Sequence, residues 1–387
     1  MSWRSVALED VATIERTGVD PSLLNHDTSY VGLEHIESGG RLLEIKPVAN
    51  GELKSTKFAF GPRHILYGKL RPYLAKIALP AFSGICSTDI LPILPGPDID
   101  RNYLCQFLRQ PTMIDFAASR SEGANLPRLS PKALAKFEIP LPPLDEQKRI
   151  AATLDKADQL RQKRRQAIAL LDSLTQSIFL EMFGEIVSRA WPMAAIGEIA
   201  TDMRTGPFGS QLLHSEFVDD GIAVLGIDNA VNNRFEWGKA RFITEDKYRQ
   251  LSRYTVRPDD VLITIMGTCG RCAVVPYDIP KAINTKHLCC ITLDSNRVLP
   301  QYLHSCFLNN PDVLRQLGVQ AKGAVMPGLN MGIIKSLKIP LPPIALQRAF
   351  KDRMSALSQQ LGAAEMAATH SETLFSSLQH RAFSGPL

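Results

Sequence analysis

The chain has 387 residues, of which 45% are hydrophobic and 21% charged, with a formal net charge of +5 at pH 7. That length suits two domains with their own cores, and no apolar run is long enough for a membrane span. The positive excess is thin and evenly spread, so any hold on nucleic acid must come from local clusters, while seven cysteines and no hydrophobic leader argue for a soluble cytoplasmic protein without a disulfide framework.

Residues 1–143 read as a mixed α and β domain. Ala7–Ile14 is a predicted short helix, and the apolar runs Tyr30–Leu33 and Ile90–Leu94 are predicted strands. From Arg63 to Lys76, bulky apolar residues alternate with Lys69, Arg71 and Lys76, with Tyr73 among them. On a strand, that alternation sets the cations along one exposed face, where they suit phosphate contact. A solvated strand face is the bland alternative, and composition does not choose between the two. Asn102–Phe116 carries Tyr103, Phe107 and Ile114 at helical spacing, and Arg120–Leu129, with Arg120 and Arg128, is a polar loop of the kind that touches DNA.

The next stretch organises the chain. In Phe137–Ile150, Pro142 and Pro143 fix an extended entry that a helix interior excludes, and Asp145 and Glu146 complement the positive end of a helix dipole. A helix is predicted to start near Leu144. No proline or glycine intervenes before Gly184, so about 40 residues at roughly 1.5 Å each give a rod of about 60 Å. Residues 144–184 are assigned to this helix.

The construction then repeats. Ile139 and Ile339, Pro140 and Pro340, Gln147 and Gln347, and Phe183 and Phe383 are all 200 positions apart. Earlier segments match at 188, as Val11-Ala12-Thr13 does with Ile199-Ala200-Thr201, so the second copy holds roughly 12 extra residues inside its globular part. Residues 185–343 are therefore a second domain on the same frame, and 344–387 a second long helix. Gln301–Leu317, with Tyr302, Phe307 and Leu314, repeats the helical spacing of the first domain. The turn Thr205–Ser210 and the loop Gln320–Leu329 are rich in glycine, but no phosphate-binding loop pattern occurs.

Both long helices carry apolar residues at alternating steps of four and three. The second has Phe350, Met354, Leu357, Leu361, Ala364, Ala368, Ser371, Phe375, Leu378 and Ala382. The first has Ile150, Leu154, Ala157, Arg161, Arg164, Ile168, Leu171, Thr175, Ile178 and Met182, with two arginines near its middle; Leu160, Ala167 and Leu174 offer an alternative seam there. An antiparallel coiled coil fits these stripes, and packing onto the globular domains is the plain alternative.

Catalytic patterns are sparse: there is no H-E-x-x-H and no G-x-S-x-G. Pro258-Asp259-Asp260 before an apolar strand faintly suggests a nuclease, but an acidic turn is the simpler reading. Cys269-x-x-Cys272 with His287, Cys289 and Cys290 has zinc-like spacing, set against the tendency of free cysteine to be a small buried hydrophobe. The runs Val261–Ile265 and Cys272–Val275 read as core strands, and no metal site is assigned.

The pattern I-P-L-P-P-L-x-E-Q-K-R-I at 139–150, its weaker copy at 339–350, and the stretches Ile65–Tyr73, Thr205–Ser210 and Asp260–Thr268 resemble the specificity (S) subunit of type I restriction-modification systems. The likeness spans the whole chain. It implies an α+β protein with two pseudo-repeated globular target recognition domains separated by two long helices in an antiparallel coiled coil. Each domain is expected to bind one half of a bipartite double-stranded DNA target, and the helices to set half-site spacing and dock two modification (M) subunits. The resemblance also implies no catalysis and no cofactor in this chain, with S-adenosylmethionine on the modification subunits and ATP and Mg on the restriction (R) subunits.

Expected DNA contacts are Lys69, Arg71, Tyr73, Lys76, Arg120 and Arg128 in the first domain and Arg204, Ser210, Arg271 and Lys322 in the second. The expected coiled-coil and partner contacts are Ile150, Leu154, Leu171 and Ile178 with Phe350, Met354, Leu357, Leu361, Phe375 and Leu378. A departure from the family pattern is Pro343–Arg348, which lacks the acidic pair of Asp145 and Glu146. The competing reading is a non-catalytic scaffold whose two domains on a helical strut bind proteins; salt-dependent retention on DNA separates it from a DNA reader.

Overall fold

A computed structural model describes residues 3–20, 27–45, 47, 53, 55–184, 191–318 and 328–385. By compactness the chain divides into two units, Met1–Arg165 with Met366–Leu387, and Gln166–Glu365.

Unit 1 begins with β1 (Ser5–Ala7), α1 (Leu8–Val11) and β2 (Ala12–Ile14). The helix expected over Ala7–Ile14 is thus cut to one turn. Ala12, Thr13 and Ile14 leave it to pair antiparallel with β9 (Ile90–Pro95), because sheet pairing outweighs the weak helix preference of a β-branched pair. Between them run β3 (Gly18–Val19), β4 (Tyr30–Val31), β5 (Lys57–Phe60), β6 (Ile65–Gly68), β7 (Ile77–Ala78) and β8 (Gly84–Cys86). One antiparallel sheet has the order β2-β9-β6-β7; a second, β3-β5-β8-β4, contains a parallel β4–β8 pair. All four residues of β6 are buried, since Ile65 and Tyr67 face the helical side while Leu66 faces the second sheet. A strand covered on both faces must be apolar throughout, not alternating. The strand ends at Gly68, so the ribbon expected along Arg63–Lys76 does not form.

The predicted helix Asn102–Phe116 is two helices, α2 (Arg101–Leu108) and α3 (Pro111–Ser119). Pro111 pushes Gln110 into extended backbone, φ −60° and ψ 140°, and a new helix starts at the proline. After α4 (Pro131–Ala135), β10 (Glu138–Pro140) pairs antiparallel with β1 and leads into α5 (Leu144–Phe183).

Unit 2 rebuilds this order with β11 (Met193–Ala195), α6 (Ile196–Ile199), β12 (Ala200–Thr205), β13 (Ile222–Leu225), β14 (Phe242–Ile243), α7 (Glu245–Leu251), β15 (Thr255–Val256), β16 (Val261–Thr264), β17 (Cys272–Val274), β18 (Ala282–Asn284) and β19 (Leu288–Leu293). α8 (Pro300–Asn309), α9 (Pro311–Gln316), α10 (Met331–Ser336), β20 (Lys338–Pro340) and α11 (Ile344–Ser384) follow. Gln301–Leu317 is again broken at a proline, Pro311. The sheet β12-β19-β16-β17 matches β2-β9-β6-β7 strand for strand. In the other sheet, β15-β18-β13 matches β5-β8-β4, but the fourth strand lies on the opposite edge: β3 beside β5 in unit 1, β14 beside β13 in unit 2.

Six of the seven cysteines are buried. Cys289 and Cys290 sit on opposite faces of β19, one in each neighbouring core, so they cannot converge on one ion. Burial pushes the Cys289 thiol up to about 12, which suits a hydrophobe better than a thiolate. Among the described residues no three His, Cys, Asp or Glu side chains group as metal ligands.

Each unit takes part of both long helices, residues 144–165 and 366–384 in unit 1 and 166–183 and 344–365 in unit 2. Within each unit the two segments run antiparallel. In unit 2, Phe350 packs on Phe179 and Phe183 at ring distances of 6.0 and 5.2 Å. In unit 1, Ile150, Leu154, Phe375 and Ala382 join the core with Tyr103 and Phe107.

Candidate nucleic-acid interface

Unit 1 presents a built surface just beyond β6. Pro72–Leu74 form a single 3-10 turn flanked by Arg71 (φ 50°, ψ 64°) and Ala75 (φ 51°, ψ 39°), two non-glycine residues in left-handed backbone. Such residues persist only where their surroundings fix them. The Arg71 amide donates to Pro127 O at 2.7 Å, Leu129 N donates to Lys69 O at 2.9 Å, and Gly39 N donates to Ala75 O at 3.3 Å. The Arg71 guanidinium also reaches Asn125 O at 3.4 Å. Residues 121–129 are thereby fastened to the turn, and α3 packs against it as well. Arg120, at the end of α3, lies over the Phe116 ring at 4.9 Å.

Of the six expected contacts in unit 1, Lys69, Arg71, Tyr73 and Arg120 are brought together on this surface. Tyr73 is 53% exposed, and among the described residues Lys69, Arg71 and Arg120 form no ion pair. Arg128 belongs to the same loop but is bound to Asp89 at 2.9 Å, which holds its guanidinium above the usual range. Lys76 is a correction: its ammonium donates to Leu33 O at 2.6 Å, a structural tie that takes it off the expected face.

Unit 2 offers a different surface. Arg204 is the clearest correction, because it points inward from β12 and is only 7% exposed. It donates to Thr255 O, to Asp202, to Thr292 and to the fully buried Asp260, which also accepts from Thr292 Oγ1 at 2.6 Å and Arg257 N at 2.8 Å. The Asp259-Asp260 turn is therefore a structural ion-pair site. Ser210 is exposed on the 3-10 turn Gly209–Gln211, which Tyr254 anchors by donating to Gln211 Oε1 at 2.9 Å. Gly206, directly after β12, allows no side chain, since a Cβ there would meet Asn284 O at 2.0 Å. Arg271, on the hairpin between β16 and β17, lines a cavity of about 770 Å³ with Arg234, Gln301, His304 and Asn309. Lys322 lies outside the described residues.

Sequence reasoning found the joint at which each helix starts but gave its glutamine no role. Gln147 is fully buried; its side-chain oxygen accepts from Asp100 N at 2.8 Å, and its amide donates to Asp98 O at 3.0 Å and Pro142 O at 2.8 Å. Gln347 does the same with Leu299 N, Arg297 O and Pro342 O at 2.8, 3.0 and 2.9 Å. Tyr103 and Tyr302 complete the pair by donating to Pro140 O and Pro340 O at 2.7 and 2.8 Å. The signal was the 200-residue spacing of the two glutamines.

The helix stripes fall where the four-three spacing places them. Each of the ten positions in α5 and in α11 is buried or half-buried, while Leu160 and Leu174 of the alternative seam are 43% and 44% exposed. The two arginines do not turn outward, as small facing residues would permit. Arg161 stacks over Phe375 at 4.1 Å and pairs with Glu372 at 3.0 Å, and Arg164 donates to Ser371 Oγ and Ala367 O. Arg161 thus meets a counter-charge and an aromatic face inside the seam, whereas Arg164 is held there by neutral oxygens.

Twin mixed α and β frames and twin helix joints define a two-domain repeat protein. Residues 2–170 and 191–366 each match the model of the type I restriction modification DNA specificity domain, and the chain belongs to that family. It is 30% identical over 195 residues to the type I restriction enzyme EcoDI specificity subunit of Escherichia coli, covering 49% of this chain and 43% of that protein. It is 23% identical over 256 residues to the MjaVIII specificity subunit of Methanocaldococcus jannaschii, covering 62% and 60%. The chain thus spans less than two thirds of either relative. The StySPI specificity subunit of Salmonella potsdam matches more broadly, 22% identical over 384 residues with 89% and 82% covered. In fold the chain resembles a solved structure of type I R-M system assembly (TM-score 0.62, 20% identity, 100% and 98% covered) and the type I S subunit of M. genitalium (TM-score 0.60, 15% identity, 100% and 96% covered).

Proposed function

We propose that this chain is the DNA-reading part of a type I restriction-modification complex, each unit reading one half of a bipartite duplex target. The observation that carries this reading is the contrast between like frames and unlike surfaces. The same sheets and joints recur, yet unit 1 displays Lys69, Arg71, Tyr73 and Arg120 around a fixed turn, whereas unit 2 displays Ser210 and Arg271 and buries its Arg204. Unpaired cations near backbone turns suit phosphate contact, and divergent surfaces on one frame suit two different sequences.

In this reading the chain performs no catalysis and holds no cofactor. Two modification subunits dock at the two equivalent helix joints and supply S-adenosylmethionine chemistry, restriction subunits supply ATP- and Mg-dependent steps, and the helices set the half-site spacing in a cytoplasmic assembly. The test is to map methylated sequences in cells carrying the chain, then with residues 185–343 exchanged for those of a relative. One half of the methylated sequence is expected to change. A change in both halves, or methylation indifferent to the chain, overturns the proposal.

A further inference from the structure

The turn of unit 1 exposes more apolar surface than a phosphate clamp needs. Besides Tyr73, Leu74 is 38% exposed, Phe116 39% and Leu126 45%. All four come from the three segments fastened together here: the 3-10 turn, α3, and residues 121–129. An exposed apolar cluster calls for a partner. Its border supplies the partner's sign: Lys69, Arg71 and Arg120 carry no ion pair among the described residues, and Arg128 is held by Asp89.

The turn is also rigid. Leu74 N donates to Arg71 O and Ala75 N to Pro72 O, both at 2.9 Å, and Gly68 N closes onto Lys76 O at 2.8 Å. Pro72 is buried beneath, so Tyr73 and Leu74 form the tip of a fixed, left-handed-flanked knuckle. Tyr73 and Leu74 are thus held partly in water at the tip of a fixed turn. That arrangement suits a protein that pushes apolar groups between stacked base pairs while cations grip the flanking phosphates.

We propose that the Tyr73–Leu74 knuckle is a wedge that inserts into the base stack of the half-site read by unit 1, unstacking one step and bending the duplex there, with Lys69, Arg71 and Arg120 on the adjoining phosphates. This rests on the DNA-reading function proposed above. It adds that recognition by unit 1 includes the deformability of one base step, so that a flexible pyrimidine–purine step is favoured at a position bearing no hydrogen bond to the protein. In unit 2 the matching turn, between β16 and β17, carries its left-handed backbone on two glycines, Gly267 (φ 68°) and Gly270 (φ 85°), with Met266 39% exposed and no aromatic tip.

The experiment uses the full chain in complex with its modification subunits and a duplex of the mapped target carrying 2-aminopurine at successive positions of the unit 1 half-site. Binding is expected to raise 2-aminopurine emission severalfold at one step only. Tyr73→Ala with Leu74→Ala is expected to abolish the rise and weaken binding about tenfold. Tyr73→Phe is expected to keep the rise, which guards against a variant that merely misfolds, and Tyr73→Trp is expected to show quenched indole emission on DNA. If the rise survives in the double variant, or appears nowhere while Lys69→Ala and Arg120→Ala still weaken binding and lower its salt dependence, the wedge is overturned and DNA reading stands. If those lysine and arginine variants also leave binding and salt dependence unchanged, the reading surface itself is wrong.

Discussion

The same corner of the two units is held by opposite placements of acid and base. Before β6 in unit 1, His64 Nδ1 accepts from Gly61 N at 2.9 Å and its Nε2 meets Glu15 at 2.9 Å, just past β2. Before β16 in unit 2, Asp260 accepts from Arg257 N, again three residues back, and pairs with Arg204 on β12. The strand registers superpose these sites: Ile65 and Val261 pair with Ile93 and Ile291, as Ile14 and Met203 do. Unit 1 places the acid on the edge strand and the base before the central strand; unit 2 reverses them. What the frame demands is a side chain that closes the turn and finds a charged partner, and either polarity satisfies it. The difference is depth, since Asp260 is fully buried whereas Glu15 is 36% exposed.

Depth sets the largest expected effect. Asp260→Ala removes the buried counter-charge of Arg204, leaving it only the more exposed Asp202, and is expected to cost about 3 kcal/mol, while His64→Ala costs about 1 kcal/mol. Calorimetry of each variant checks this, and equal losses would erase the distinction between the corners. The helix joints point the other way, toward sameness. Gln147→Ala and Gln347→Ala each leave buried main-chain groups unpaired and are expected to cost about 2 kcal/mol apiece, within error of one another in chemical denaturation. A loss confined to one joint would show that the copies have diverged there too.

The smallest effect is a pH dependence expected of unit 2 at His304. Burial holds this imidazole below its ordinary range, and its Nε2 faces Asn233 O at 2.8 Å and Cys272 O at 3.0 Å; the corresponding residue of unit 1 is Cys105. A lowered folded-state value means the unfolded chain binds the proton first. Stability from this site is therefore complete above about pH 6.5 and falls as the pH drops toward the folded value, by up to about 1.4 kcal/mol per pH unit. Melting curves between pH 7.5 and 5 are expected to show that loss, and His304→Gln to flatten it.

Much of this fold was legible. Pro142, Pro143 and Gly184 punctuate α5 so sharply that its limits follow from residue type, and the 200-residue spacing gives the repeat directly. The seam of α5 was legible in its spacing, but not how Arg161 fits, because Phe375 and Glu372 lie more than 200 positions away. The candidate surface was legible in composition and not in conformation. Lys69, Arg71 and Tyr73 were read from alternation as a strand, whereas the chain leaves β6 at Gly68 and turns at Pro72. Arg204 was misplaced for a related reason: a lone arginine in a polar stretch reads as exposed, and only the pairing of β12 with β19 turns it toward Asp260.

The joints at Gln147 and Gln347 grip nothing but main chain. Their partners are amides and carbonyls of residues 98, 100 and 142 in one copy and 297, 299 and 342 in the other, and Tyr103 and Tyr302 likewise hold carbonyls. Every residue but proline supplies both an amide and a carbonyl whatever its side chain. A coupling of this sort has no co-varying partner to keep in step, so the loops between can mutate freely, and whole domains can be exchanged between relatives by recombination without refitting the socket. New recognition would then arise by shuffling ready-made heads onto an unchanged mount.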